Sequence, residues 1–102
     1  MIRHIVLINF RDDVSEAHKQ EIYADLRALV GKIDGLTGAQ FGPNVSPEGL
    51  SKGFRDGFVM ELRDAEARDR YLADPRHQAA GKKLVAACEG GLEGVLPFDL
   101  EV

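Results

Sequence analysis

Apolar and polar positions along this chain alternate with two different periods, two residues in some stretches and three to four in others. The switches between them divide the sequence into strands and helices. In MIRHIVLINF, Ile2, His4, Val6, Ile8 and Phe10 alternate with Arg3, Ile5, Leu7 and Asn9. This predicts a strand that is apolar on much of both faces. After the polar turn Arg11-Asp12-Asp13, Ser15 is suited to cap a helix, and Ile22, Leu26, Leu29, Val30 and Ile33 recur at spacings of three and four. An amphipathic helix ending at Gly35 is expected. LTGAQFGPNV reads as a second strand, weakened by its glycines and closed by Pro43, and SPEGLSKG reads as a loop. FRDGFVMEL is a third strand, with Phe54, Asp56, Phe58, Met60 and Leu62 on one side. Asp64 caps a helix through Tyr71 and Leu72. Asp74-Pro75 interrupts it, and Pro75 opens a further helical segment that continues to about Cys88, because the first helical position needs no amide donor. GVLPFDLEV closes the chain as a strand in which Leu96, Phe98, Leu100 and Val102 alternate with Val95, Pro97, Asp99 and Glu101.

The resulting order, βαββαβ, predicts an α+β chain of the ferredoxin-like type, one domain over residues 1–102 with a four-stranded antiparallel sheet. Two helices cover only one face of such a sheet. Ile5 and Leu7 on the first strand and Val59 on the third fall on the other face, so something else must exclude water there. A second copy stacked sheet to sheet, giving a dimeric α+β barrel, is the economical answer; a monomer with an apolar open face is the alternative.

Composition narrows the function classes. A net charge of −4, from 13 Lys and Arg against 17 Asp and Glu, argues against a nucleic-acid or anionic-membrane surface. No stretch approaches the ~20 apolar residues of a membrane span, and IVLINF lacks a cleavage pattern, so no signal peptide is read. The single cysteine, Cys88, has no internal partner, and a cytoplasmic protein is the simplest expectation. Lys82-Lys83, the only basic doublet, reads as a solvated helix face. Three histidines on three elements have no metal-ligand spacing, so no metal is expected, and no glycine-rich phosphate loop opens a helix, so no cofactor is expected. Cys88, with no cationic neighbour at helical spacing, reads as an inert core thiol.

Candidate chemistry gathers at YLADPRHQAAGKK, residues 71–83. His77 shares a helix stripe with Ala80, Leu84 and Cys88, which turns it toward the core side. A neutral imidazole there is a general base, Tyr71 is near enough to orient it or to stabilise an enolate oxygen, and the helix start would lower the histidine's pKa. The plainer reading is a histidine that caps a turn after a proline. His4 lies on the strand face of Val6 and Ile8, either as a satisfied core histidine or as part of a ligand pocket between sheet and helices. His18 reads as an edge-of-core residue. Asp56 is either a strand-end acceptor or part of the pocket mouth.

MIRHIVLINFRDDVSE, DGFVMELRDAEARDRYLADPRH and the terminal FDLEV together resemble the stress-responsive α/β-barrel family, Dabb, across essentially the whole chain. Its most specific piece here is Tyr71-Leu72-Ala73-Asp74-Pro75-Arg76-His77; the second is His4 before an apolar strand. The resemblance implies a homodimer of α+β barrels without a cofactor. From its polyketide-cyclising members it implies a catalytic His77 with Tyr71 as partner and His4 in the pocket, with Ile22, Tyr23 and Leu26 at the helix positions where aromatic pocket side chains are expected. Only Tyr23 is aromatic here, and a further histidine of those members falls on Asp56. Two function classes stand: a cofactor-free lyase or cyclase acting on a small carbonyl compound, and a non-catalytic ligand-binding or structural dimer. A cofactor-free monooxygenase is supported at the level of fold alone.

Overall fold

The computed structural model describes Met1–Val102. Strands β1 (Ile2–Ile8), β2 (Leu36–Pro43), β3 (Asp56–Leu62) and β4 (Val95–Glu101) form one antiparallel sheet in the order β2-β3-β1-β4. Helices α1 (Glu16–Arg27), α2 (Ala65–Ala73) and α3 (Pro75–Ala86) cover one face, and a short 3₁₀ turn over Gly91–Gly94 leads into β4. This is the ferredoxin-like arrangement the periodicity predicts. β1 lies between β3 and β4, so its side chains have neighbours on both flanks.

Local chemistry sets most of the boundaries. The Ser15 hydroxyl accepts from the His18 amide at 3.1 Å, Asp64 accepts from the Ala67 amide at 2.9 Å, and Asp74 accepts from the Arg76 amide at 2.8 Å. Asp74 both ends α2 and caps α3, with extended backbone (φ −66°, ψ 129°) and Pro75 at the first helical position. One residue thus turns a single amphipathic run into two helices.

α1 is shorter than the expected run to Gly35. Beyond Arg27 the bonding tightens to three-residue spacing, with Leu29 N donating to Leu26 O and Val30 N to Arg27 O, and Gly31 takes a left-handed φ of 81°. Leu29 and Ile33 nevertheless remain in the core, carried by turns rather than by the helix. β3 starts at Asp56 rather than Phe54, because Gly53 (φ 89°) turns the chain just before it. α3 ends at Ala86, short of Cys88. At Gly94 an added Cβ would lie 2.7 Å from Glu89 O and 2.9 Å from Asn9 O, so only glycine lets β4 begin this close to the end of β1.

The core lies between sheet and helices. Ile2, Val6 and Ile8 of β1 are buried against Met60 and Leu62 of β3, Ile22, Tyr23 and Leu26 of α1, and Tyr71, Ala80 and Leu84 from the later helices. Completely burying a side chain of the size of Met60 or Leu62 contributes about 1.5–3 kcal/mol. The other face is bare. Register sets Ile5 opposite Phe98 and Leu7 opposite Leu96, and Leu7, Leu96, Phe98 and Leu100 are 37%, 46%, 57% and 42% exposed. Among the positions expected to leave that face apolar, Ile5 and Val59 are half-buried and Leu7 exposed; β4 supplies more apolar surface there than β1 does. No helix is long and apolar enough to cross a membrane.

Candidate functional site

The His4 side chain points into the helix-covered side of the sheet, where its direct cross-strand partner is Asp99. Its Nδ1 lies 2.6 Å from Asp99 Oδ1, and the other carboxylate oxygen accepts from Arg68 Nη1 at 2.7 Å. Burial pushes the Asp99 carboxyl pKa up, but the hydrogen bonds from His4 and Arg68 outweigh it and hold the carboxyl below its ordinary value. With an acceptor at Nδ1, His4 keeps its proton on that side and presents Nε2 away from Asp99.

Tyr71, at the last turn of α2, is completely buried between two imidazoles. Its ring meets His4 edge-on at 5.8 Å and His77 at 4.2 Å between centroids. The hydroxyl has no hydrogen-bond partner, and burial raises its pKa. Tyr71 therefore contacts His77 through ring packing, with no hydroxyl bond between the two. His77, on the first turn of α3, is half-buried and its Nδ1 lies 3.3 Å from the Leu72 carbonyl, which places the Nδ1 proton there and leaves Nε2 as a lone pair. Its pKa is lowered first by burial and further by His4, against the Leu72 carbonyl and Asp74. The direction matches the expectation and the cause differs: burial dominates, and at the helix start Asp74 already occupies the Arg76 amide.

His4 and His77 open on one cavity of about 700 Å³ between the helices and the β1–β4 side of the sheet. Val6, Leu26, Phe58, Leu84, Val95 and Pro97 make most of its wall apolar, with Leu72 and Leu92 at its sides. Cavities of this size hold small organic molecules. Tyr71 stands immediately behind the wall. Of the other expected pocket residues, Val6 and Leu26 line the cavity, while Ile8, Ile22, Tyr23 and Asp56 do not. Ile8 is consumed by the core. Ile22 borders a separate groove beside His18 and Lys83. Tyr23 stacks on Phe41 at 4.9 Å at the opposite end of the core, and Asp56 pairs with Lys19 at 3.2 Å beside it. Ile22 and Tyr23 lie one turn before Leu26 on α1, and of the three only Leu26 reaches the cavity.

Cys88 is buried, donates to Leu84 O at 3.1 Å, and has its thiol pKa pushed up by burial to about 11. No group of three or more His, Cys, Asp or Glu side chains stands together in a way that would hold a metal. The Asp99–Arg68 pair behind His4 was not among the predicted site residues. Alternation along β4 puts Asp99 on the side of Val95 and Pro97, but its pairing with His4 is set by the β1–β4 register, which spacing along the chain does not show.

The model of the stress responsive A/B barrel domain family, Dabb, matches residues 2–102. The chain belongs to this family. It is 30% identical over 98 residues to the stress-response A/B barrel domain-containing protein HS1 of Arabidopsis thaliana, covering 96% of this chain and 86% of that one. It is 22% identical over 80 residues to olivetolic acid cyclase of Cannabis sativa, covering 78% of this chain and 79% of the cyclase. Among solved structures, a dimeric ferredoxin-like protein of unknown function from Jannaschia sp. CCS1 superposes with a TM-score of 0.91 at 36% identity, over 99% of this chain and 98% of that one. The Dabb chain described here thus shares its sheet order and helix placement with a protein that forms dimers.

Proposed function

We propose that this Dabb protein is a homodimer with a small-molecule site between sheet and helices, and that the site abstracts a proton next to a carbonyl group. The convergence of two differently held imidazoles on one apolar cavity carries the reading. His77 acts as general base: its Nδ1 proton is engaged by Leu72, its Nε2 is free, and burial favours the neutral form that accepts a proton near neutral pH. His4, oriented by Asp99, offers the second polar contact to the ligand. The Tyr71 hydroxyl, without a protein partner, is the donor left for the carbonyl oxygen as negative charge develops. It is closed to solvent in the free protein. His77 is the wall residue with the freedom to let a ligand reach it, being half-buried and held through its ring by a single 3.3 Å bond. The similarity to olivetolic acid cyclase supports a cyclase reaction.

Proton abstraction is testable before a substrate is known. Exchange of the α-protons of pentane-2,4-dione and heptan-2-one in deuterated buffer, followed by NMR, should run faster with the protein than with buffer alone. Exchange that is no faster, or that survives unchanged in His77→Ala, removes the catalytic reading and leaves ligand binding by the same cavity.

The dimer would form through the open sheet face, where the Ile5–Phe98 and Leu7–Leu96 pairs stand on the side no helix covers. Light scattering should return the mass of two chains at micromolar concentration. Leu7→Asp should dissociate or unfold it, since an unpaired charge buried in such an interface costs about 3–5 kcal/mol. A wild-type mass of one chain sinks this assembly.

A further inference from the structure

The two adjacent lysines of α3 have different fates. Lys83 reaches across to α1 and pairs with Asp25 at 2.8 Å. Lys82 makes no ion pair and lines the cavity, as does Gln78 one turn earlier, whose side chain has no hydrogen-bond partner. Both lysines are exposed, as expected of a solvated helix face, and they differ in their partners. No carboxylate lines the cavity, so Lys82 carries its one formal charge, and the polar groups on its wall are two imidazoles, an amide and an ammonium.

Between His77 and Lys82 stands Gly81. Glycine disfavours a helix interior, and here the fold supplies no reason for it: the backbone is helical and an added Cβ would meet nothing within 4 Å. The space a side chain would occupy belongs to the cavity. Lys82 lies five positions after His77, about 7.5 Å along the helix axis.

Resting on the ligand site argued above, we infer that the cavity takes an amphipathic carboxylic acid. Its apolar chain crosses α3 over the bare Gly81, its carboxylate meets Lys82 with Gln78 as a second donor, and its remaining polar function lies toward His77 and His4. Gly81 and Lys82 would then set specificity, Gly81 by admitting the chain and Lys82 by reading the charge.

Calorimetric titration with octanoate and octan-1-ol separates charge recognition from apolar fit. Wild-type protein at low salt should bind octanoate about fivefold tighter than the alcohol, the scale of a partly exposed ion pair, and the preference should shrink as salt is added. Lys82→Gln should equalise the two probes, whereas His77→Ala should keep the preference. Gly81→Val should weaken both alike by about tenfold, and Gly81→Ala, the gentler change, should shift both in the same direction if the valine variant does not fold. Equal affinities in the wild type overturn the inference and leave the ligand site standing. So does a preference that survives Lys82→Gln or vanishes in His77→Ala. Failure of both probes to bind overturns the inference together with the apolar pocket beneath it.

Discussion

The chain has two tyrosines, and they occupy matching situations at opposite ends of one core. Tyr23 and Tyr71 are both buried, both sit on helices over the sheet, and both have hydroxyls without a partner. Their neighbours differ. Tyr23 has Phe10 at 6.2 Å and Phe41 at 4.9 Å, while Tyr71 has His4 at 5.8 Å and His77 at 4.2 Å. The phenylalanines carry no proton to give or take. Imidazoles are able to take up and release protons; one is anchored to Asp99 and the other to a backbone carbonyl, and a cavity opens beside them. An unsatisfied buried hydroxyl is thus a feature of packing at one end and, on the proposed function, of chemistry at the other. What distinguishes them is the protonic character of the neighbours and the space next to them.

The comparison breaks most visibly at the residues beside each tyrosine. His77→Ala should lower turnover of an exchangeable ketone by about 10²–10⁴-fold, the usual contribution of a general base, with the dimer intact by light scattering. Phe41→Leu, at the Tyr23 end, should cost stability and leave turnover per folded molecule unchanged. Equal loss of turnover in the two variants would mean that the cavity end is no more chemical than the packed one.

Removing only the hydroxyls sharpens it further. Tyr23→Phe and Tyr71→Phe keep the rings that pack, and since neither hydroxyl is paired, denaturant unfolding should find each variant as stable as the wild type or about 1 kcal/mol more stable. Turnover should separate them: about tenfold lower in Tyr71→Phe, unchanged in Tyr23→Phe. A Tyr71→Phe variant with full turnover reduces Tyr71 to a ring that positions the two imidazoles.

Much of this was legible in the sequence because it is carried by periodicity. The alternation of Ile2, His4, Val6 and Ile8 named the buried face of β1, and Asp74-Pro75 marked the break that lets Tyr71 end one helix and His77 begin the next. Two positions of the expected pocket, Ile22 and Tyr23, were on the correct face of α1 and the wrong side of the core. Helical spacing tells which side of a helix is apolar; where along the sheet each turn lands depends on the crossing of the helix, which no local pattern encodes. The same limit hid Asp99 and Arg68. They meet His4 through cross-strand register and a helix 31 residues earlier than Asp99, and long-range pairing of this kind leaves no trace in spacing.

The smallest expected difference between the two ends is in their response to pH. His77 has its pKa lowered from the ordinary 6.5 by burial, with His4 adding to the shift and the Leu72 carbonyl and Asp74 opposing it. Above pH 6.5 the side chain is neutral in both folded and unfolded chains and contributes no pH dependence. As pH falls below that value, the unfolded chain takes up the proton first, so the native state loses stability until its own lower pKa has been passed. Asp99, also lowered, acts in a separate window, holding its contribution above the ordinary carboxylate value of 3.8 and losing it as pH falls through the folded value. Chemical denaturation at pH 7.5, 6.5, 5.5 and 4.5 should therefore show wild-type stability declining over the acid side of neutrality, before the carboxylate window opens. His77→Gln should flatten that part of the curve, and Tyr23→Phe should leave its shape untouched. A wild-type curve that is flat between pH 7.5 and 4.5, or one that keeps its slope in His77→Gln, would place His77 in water in the native protein and take away the neutral base on which the proposed chemistry at this end depends.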